Sequence, residues 1–264
     1  MNLSNKKIII TGCLGIYGFE ITKYLLNQNS KVIGLDIVSK NNKIKILKKK
    51  YVKNFKYYTC DVGNEKELIK IKKKIIKNFK KIDTLINLAS VTDPVENKKK
   101  KIIKFDDFSS NEFKNIVSKN ILATFLPCQL FGKDMAKSKK GSIINFSSTY
   151  GIVGPDQNIY IDKNRKRKFI KNPAYPTSKG AIISLTKYLS SYWGDSNVRV
   201  NCIVPGGAQN NQDKFFIKNY SSKTPLGRMA NTKDLNGIIH LLCSNQSTYI
   251  TGSTLVVDGG WTSI

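Results

Sequence analysis

Seven short apolar runs alternate with helix-length segments along this chain, and that alternation admits few folds beyond a parallel α/β sheet. The runs predict strands at Lys7–Thr11, Lys31–Asp36, Phe55–Asp61, Ile82–Leu88, Ser142–Ser147, Val198–Val204 and Thr254–Val257. Several are continuously apolar, as strands covered on both faces must be. Helices are predicted at Tyr17–Gln28, Glu65–Phe79, Ser110–Ser138, Tyr175–Trp193 and Thr232–Cys243, with Ser110 and Thr232 as N-caps. No internal repeat or linker interrupts the pattern. Residues 1–264 therefore read as a single domain: α/β, a doubly wound parallel sheet of Rossmann type with about seven strands.

The first strand runs into TGCLGIYG, which sets Gly12, Gly15 and Gly18 at a strand-to-helix turn. Glycines there permit a tight turn, close approach of backbone N–H groups to a pyrophosphate, and close helix–strand packing. A glycine triplet alone is weak evidence; its place after an apolar strand and before a helix is what the mechanism requires. Asp36 closes the second strand eighteen residues beyond Gly18. A carboxylate there accepts hydrogen bonds from ribose hydroxyls and repels a 2′-phosphate, which favours NAD over NADP. Asp61, at the end of the third strand, has two equal accounts: a partner for the adenine amine, or a cap on the next helix.

A second constellation lies in NPAYPTSKGAII. Tyr175 and Lys179 are four residues apart at the opening of a helix and share one face. A free phenol titrates near ~10, and bringing it to neutrality takes roughly 4 kcal/mol of preferential stabilisation of the phenolate. An adjacent ammonium, together with the positive charge of a nicotinamide ring, supplies that in a low-dielectric site. The pair then exchanges a proton with an alcohol or ketone. In a chain with 45 Lys and Arg residues this spacing also arises by chance, so its neighbours decide its worth. The strand IINFSST brings Ser147 and Ser148 to the sheet edge where doubly wound folds bind ligands. Asn120, inside a long predicted helix, is either an exposed polar residue or the holder of a water that links Lys179 to solvent.

Composition excludes several alternatives. The five cysteines are scattered with no CxxC pair, which points to reduced thiols in a cytoplasm and to no metal site. No apolar stretch reaches the ~18 residues that cross a membrane, and the N-terminus enters a strand too early for a signal peptide. The formal charge of +27 raises the question of nucleic acid. Its lysines, however, are spread along the chain with only four arginines, as AT-rich codon usage produces, so no nucleic-acid partner is expected. Lys48–Lys50 and Lys98–Lys101 read as solvated loops or helix ends. The single histidine, His240, argues against histidine acid/base chemistry.

Taken in order, TGCLGIYG, Asp36, CDV at Cys60–Val62, INLAS around Asn87, Asn120, NFSS, YPTSK, RVNCIVPGG, TPLGRM and ITGSTLVVDGGW resemble the short-chain dehydrogenase/reductase family over essentially the whole chain. The resemblance implies a catalytic tetrad of Asn120, Ser148, Tyr175 and Lys179. Tyr175 would be the acid/base, Lys179 would lower its pKa and bind the nicotinamide ribose, Ser148 would position the substrate oxygen, and Asn120 would support a proton relay. It also implies cofactor contacts from the glycine turn with Ile16 and Tyr17, from Asp61, Val62 and Asn87, and from Pro205 and Gly206. Gly207 opens a variable substrate loop that extends to Thr224. Family members commonly form homodimers or homotetramers through the helices of Asn120 and Tyr175.

Three features depart from that family's usual pattern. The glycine spacing is that of its long form, which acts largely on nucleotide sugars. The usual Asn-Asn-Ala-Gly reads Asn87-Leu88-Ala89-Ser90. Ser148 and Tyr175 stand 27 positions apart, which marks an insertion near residues 155–173 at the active-site mouth. Its NRKRKFIK segment holds Arg165, Arg167, Lys168 and Lys171, suited to a phosphate or carboxylate of the substrate, or equally to a solvated loop. This region resembles a bacterial subgroup associated with surface-polysaccharide and flagellin-glycan sugars. The expectation is hydride transfer between NAD(H) and a hydroxyl or carbonyl of a small polar substrate, a sugar or sugar derivative. The alternatives are an epimerase or dehydratase that oxidises transiently, and a non-catalytic NAD-binding regulator.

Overall fold

The computed structural model describes residues 2–92 and 102–264, so the Lys98–Lys101 cluster lies outside the described residues. Seven strands form one all-parallel sheet: β1 (Lys7–Thr11), β2 (Lys31–Asp36), β3 (Phe55–Thr59), β4 (Thr84–Asn87), β5 (Gly141–Phe146), β6 (Val198–Pro205) and β7 (Thr254–Val257). Their spatial order is β3-β2-β1-β4-β5-β6-β7. The order reverses between β1 and β4, where a doubly wound sheet opens a crevice at its carboxyl edge.

Seven α-helices connect them: α1 (Ile16–Asn27), α2 (Asn42–Lys50), α3 (Glu65–Phe79), α4 (Ser110–Lys137), α5 (Ala174–Tyr192), α6 (Lys214–Ser221) and α7 (Asn236–Cys243). Alternation along β1 sorts the two layers. Ile8 and Ile10 face a cluster with Ile21 and Leu25 of α1 and Ile239 of α7, while Ile9 faces Leu68 of α3 and Leu126 and Phe131 of α4. With both faces covered, the interior strand positions are largely apolar.

Two helices are absent from the sequence prediction. In α2, NKIKILKKK, Ile44 and Leu47 alone are buried, too few for a visible apolar period. Lys48–Lys50 are the end of that helix. The other, α6, sits inside the stretch predicted as a substrate loop. Both predicted N-caps move by one residue. The hydroxyl of Ser109, not Ser110, accepts from Glu112 N–H, and Asn231, not Thr232, forms a capping box with Asp234. The final helical stretch divides into a 3-10 turn at Thr232–Leu235 followed by α7.

Candidate active site

The glycine turn is built by backbone contact. Gly12 has φ +65°, and a Cβ on it would meet Ala89 N at 2.8 Å. A Cβ on Gly18 would lie 2.1 Å from the Gly12 carbonyl oxygen. Gly15 is the N-cap of α1 and offers no side-chain bond, and the first turn carries no acidic residue. Such a helix start suits a phosphate, so the cradle fits the pyrophosphate of a dinucleotide. At the end of β2, Asp36 accepts from Leu14 N–H at 3.0 Å and Val38 N–H at 3.3 Å. That fixes its carboxylate beside the turn. Asp61 is exposed and accepts from Gly63 N–H at 2.9 Å; the cap on α3 is Asn64, which leaves Asp61 outside that role. Val62 beside it is buried.

Asn87 faces elsewhere. Its amide donates to Asn145 Oδ1 at 2.9 Å and lies 3.2 Å from Cys128 Sγ, so the side chain enters the layer beneath α4. Burial pushes the Cys128 thiol up to about 12, which keeps it a neutral partner there.

On the other side of the crevice, a cavity of about 360 Å³ opens between the ends of β5 and β6, the start of α5, and α6. Tyr175 stands half-buried in its wall with Lys179, whose ammonium lies 5.6 Å from the phenol ring centre and donates to Phe146 O at 3.1 Å. Ser148 also lines the cavity, with its hydroxyl accepting from Tyr150 N–H at 3.3 Å and near enough to Tyr175 to act on the phenol. The Ser147 hydroxyl is turned to Lys179 O at 2.7 Å, which holds β5 to α5. This separates two adjacent serines that sequence distinguishes only through the family pattern. Tyr17 spans the crevice and donates to Gly206 O at 2.8 Å, a contact with no sequence signal. Gly207 carries the ring of Tyr220 against its Cα and donates its N–H to Tyr220 Oη at 2.6 Å.

Burial pushes the Tyr175 phenol above its ordinary value, with the Ser148 hydrogen bond opposing, where the spacing predicts that Lys179 draws it down. Lys179 is itself brought to about 8, first by burial and further by the charge of Lys171. Its capacity to stabilise a phenolate is correspondingly reduced in the resting site. Asn120 is fully buried, and its side chain clamps the chain after β4 to α5. It accepts from Val91 N–H at 2.6 Å and donates to Val91 O at 3.0 Å and Ser178 Oγ at 2.9 Å.

The insertion folds against α6. Tyr160 stacks on Phe216 with ring centres 5.6 Å apart, and Asn219 donates to the carbonyls of Ile159 and Ile161. Arg165 lies at its exposed tip with φ +58°, and Arg167 donates to Gln157 O at 2.7 Å. Neither lines the cavity. Lys171 does, 7% exposed, with its ammonium 4.3 Å from the Tyr175 ring centre and 2.9 Å from Thr92 Oγ1. Of the basic residues that the sequence singles out in this segment, Lys171 is the one that lines the cavity.

A family model described as enoyl-(acyl carrier protein) reductase matches residues 15–262. The chain belongs to the short-chain dehydrogenase/reductase family and is an oxidoreductase of the kind that acts on CH–OH groups. It is 28% identical to 2-dehydro-3-deoxy-D-gluconate 5-dehydrogenase of Bacillus subtilis (strain 168), over 99% of this chain and 96% of the relative. It is likewise 28% identical to post-translational flagellin modification protein A of Campylobacter coli, over 98% and 99% of the two chains. A short-chain dehydrogenase from Leptospira borgpetersenii serovar Hardjo-bovis, solved with bound NAD+, superposes with a TM-score of 0.85 at 35% identity, covering 99% of this chain and 94% of that one. A nicotinamide nucleotide is the cofactor these findings support. No helix among the described residues is long and apolar enough to cross a membrane.

Proposed function

We propose that the protein transfers hydride between NAD(H) and a hydroxyl or carbonyl of a small sugar derivative, with Tyr175 as acid/base. The convergence of Tyr175, Ser148 and Lys179 on one cavity, beside a glycine cradle, carries this reading. When bound, the nicotinamide supplies or accepts the hydride. The Tyr175 phenolate takes the proton of a substrate hydroxyl during oxidation, and the phenol returns one to the carbonyl oxygen during reduction. Ser148 donates to that oxygen and steadies the phenolate. Lys179, tied to Phe146 O, places a positive charge beneath the ring. Asn120 contributes by holding the segment after β4 against α5.

The Asp36 carboxylate, anchored by two backbone N–H groups where a ribose hydroxyl would lie, supports NAD over NADP. The names of the Bacillus and Campylobacter relatives support a sugar-related substrate, in keeping with the insertion's own resemblance. Pairing through α4 and α5 agrees with the exposed Leu122, Phe125, Tyr188 and Tyr192 on those helices. We therefore infer a homodimer or homotetramer, which sedimentation would establish. The test of function is absorbance in the NADH band with a panel of sugars, sugar acids and sugar phosphates, using NAD and NADP in parallel. Turnover with NAD is expected; turnover with no net NADH change would replace this reading with transient oxidation.

A further inference from the structure

We propose that the paired phenols of Tyr150 and Tyr160 form a hydroxyl-recognition subsite, which selects sugars by a hydroxyl remote from the reacting carbon. The inference rests on the function proposed above and names the chemistry by which that cavity recognises its substrate.

Hydrogen-bond accounting is the first support. The two phenol oxygens lie 2.9 Å apart, so one hydroxyl donates to the other. Each phenol carries one hydrogen, and the pair therefore holds a second one to place. No acceptor among the described residues takes it, and both side chains line the cavity. Burial pushes both phenols above their ordinary value, which keeps them protonated donors. A buried donor without an acceptor is costly, and a substrate oxygen meets it. Lone pairs on the same oxygens accept in return, so the matching group is a hydroxyl, which accepts and donates at once. An acyl chain in this cavity would leave the second hydrogen unmet.

Placement is the second support. Tyr150 follows Ser148 by two residues, and the Ser148 hydroxyl accepts from Tyr150 N–H at 3.3 Å. The subsite is thereby fixed relative to the residue that positions the reacting oxygen. Tyr160 comes from the insertion. Its ring packs on Phe169 and Phe216, with centres 5.0 and 5.6 Å away. Asn219 of α6 donates to the carbonyls of Ile159 and Ile161 on either side of it, each at 3.3 Å. The ring is committed to packing, which leaves the hydroxyl as its polar contribution to the cavity wall.

The test is calorimetric titration of the NAD-loaded enzyme with glucose, galactose and mannose and with their monodeoxy counterparts. Wild type is expected to bind at least one parent sugar about 10- to 100-fold more tightly than one of its deoxy forms. The position that matters identifies the hydroxyl held. The double variant Tyr150→Phe/Tyr160→Phe should bring that pair within about twofold and leave NAD affinity unchanged. Each single variant keeps one phenol and should lose part of the preference. Equal binding of parent and deoxy sugars by wild type overturns the proposal, and so does a preference that survives in the double variant. An equal loss of both sugars in the single variants also overturns it, because that reports packing and not recognition. The same titration with 1,2-cyclohexanediol and cyclohexanol separates the two readings. A preference for the diol that needs both phenols, in an enzyme that binds no sugar, would sink the sugar reading and keep the subsite. Sugar oxidation with no deoxy discrimination would do the reverse, and neither sugar binding nor diol preference would end both.

Discussion

The two ends of the crevice are made of different material. At the cofactor end, backbone meets backbone: Gly12 against Ala89 N, Gly18 against the Gly12 carbonyl. At the substrate end, side chains from distant segments assemble the wall: Tyr160 and Lys171 from the insertion, Phe216 and Tyr220 from α6. A surface defined by backbone is confined to a few residue types and recurs wherever the same cofactor is bound. A surface defined by side chains on inserted loops is free to change with the substrate. The difference predicts that substitutions at one end leave the other's readout unmoved.

Tyr175→Phe tests that separation most severely. Loss of general acid/base catalysis should lower kcat by about 10²- to 10⁴-fold. The affinity for NAD, measured by calorimetry, should stay within about twofold, because the hydroxyl lies in the substrate cavity wall. A parallel fall in both would show that the ends are coupled through Tyr175. Since burial raises this phenol, wild-type alcohol oxidation should climb with pH toward the alkaline range, and carbonyl reduction should fall there.

A pair of glycine substitutions contrasts the two materials directly. In Gly18→Ala the new methyl meets the Gly12 carbonyl at 2.1 Å, and the turn must open. Such overpacking costs about 1–3 kcal/mol, so NAD affinity should fall by about 10- to 100-fold. In Gly207→Ala the methyl meets the Tyr220 ring at 2.9 Å, a side chain that shifts at less cost. That variant should raise KM for the sugar and spare NAD. Reversed effects would break the comparison.

Asp36→Asn sharpens it within the cofactor end. Removing the charge while keeping an acceptor for Leu14 N–H should improve kcat/KM for NADP relative to NAD by about tenfold, one decade being 1.4 kcal/mol of relieved repulsion. An unchanged ratio would mean that discrimination lies in other groups, Lys43 among them, whose ammonium reaches Leu14 O at 2.8 Å.

These contrasts also explain what could be read in the chain. Buried parallel strands are short apolar runs, and β1, β2 and β7 fall at the predicted residues. The glycine turn and Asp36 are local in sequence, so spacing finds them. In contrast, α2 and α6 bury two residues each and leave no period. Both caps sit in runs of adjacent capping residues, Ser109-Ser110 and Asn231-Thr232, where the choice depends on which side chain reaches its N–H. For Tyr175, spacing reports the neighbouring charge, whereas the desolvation that raises the phenol depends on packing from distant segments. Lys171 keeps the four-residue interval, yet in a lysine-rich chain the interval does not stand out. Its backbone is held by Gln157, fourteen residues away, and its ammonium by Thr92, partners that spacing does not reveal.

The smallest expected effect completes the contrast. Sequence alone assigns Arg165 and Arg167 to the substrate on the same grounds as Lys171. Arg165 stands at the exposed turn closed by Asp162, which accepts from Asn164 N–H and Lys166 N–H at 2.9 Å. Arg165→Gln should therefore leave kcat, KM and stability within about twofold, as surface substitutions do. Arg167→Gln removes the bond to Gln157 O at the foot of the insertion and should change kcat and KM by no more than about twofold. A tenfold rise in KM from Arg165→Gln would place the tip of the insertion inside the cavity. The substrate wall would then extend over the mouth, and the tip would take part in recognition.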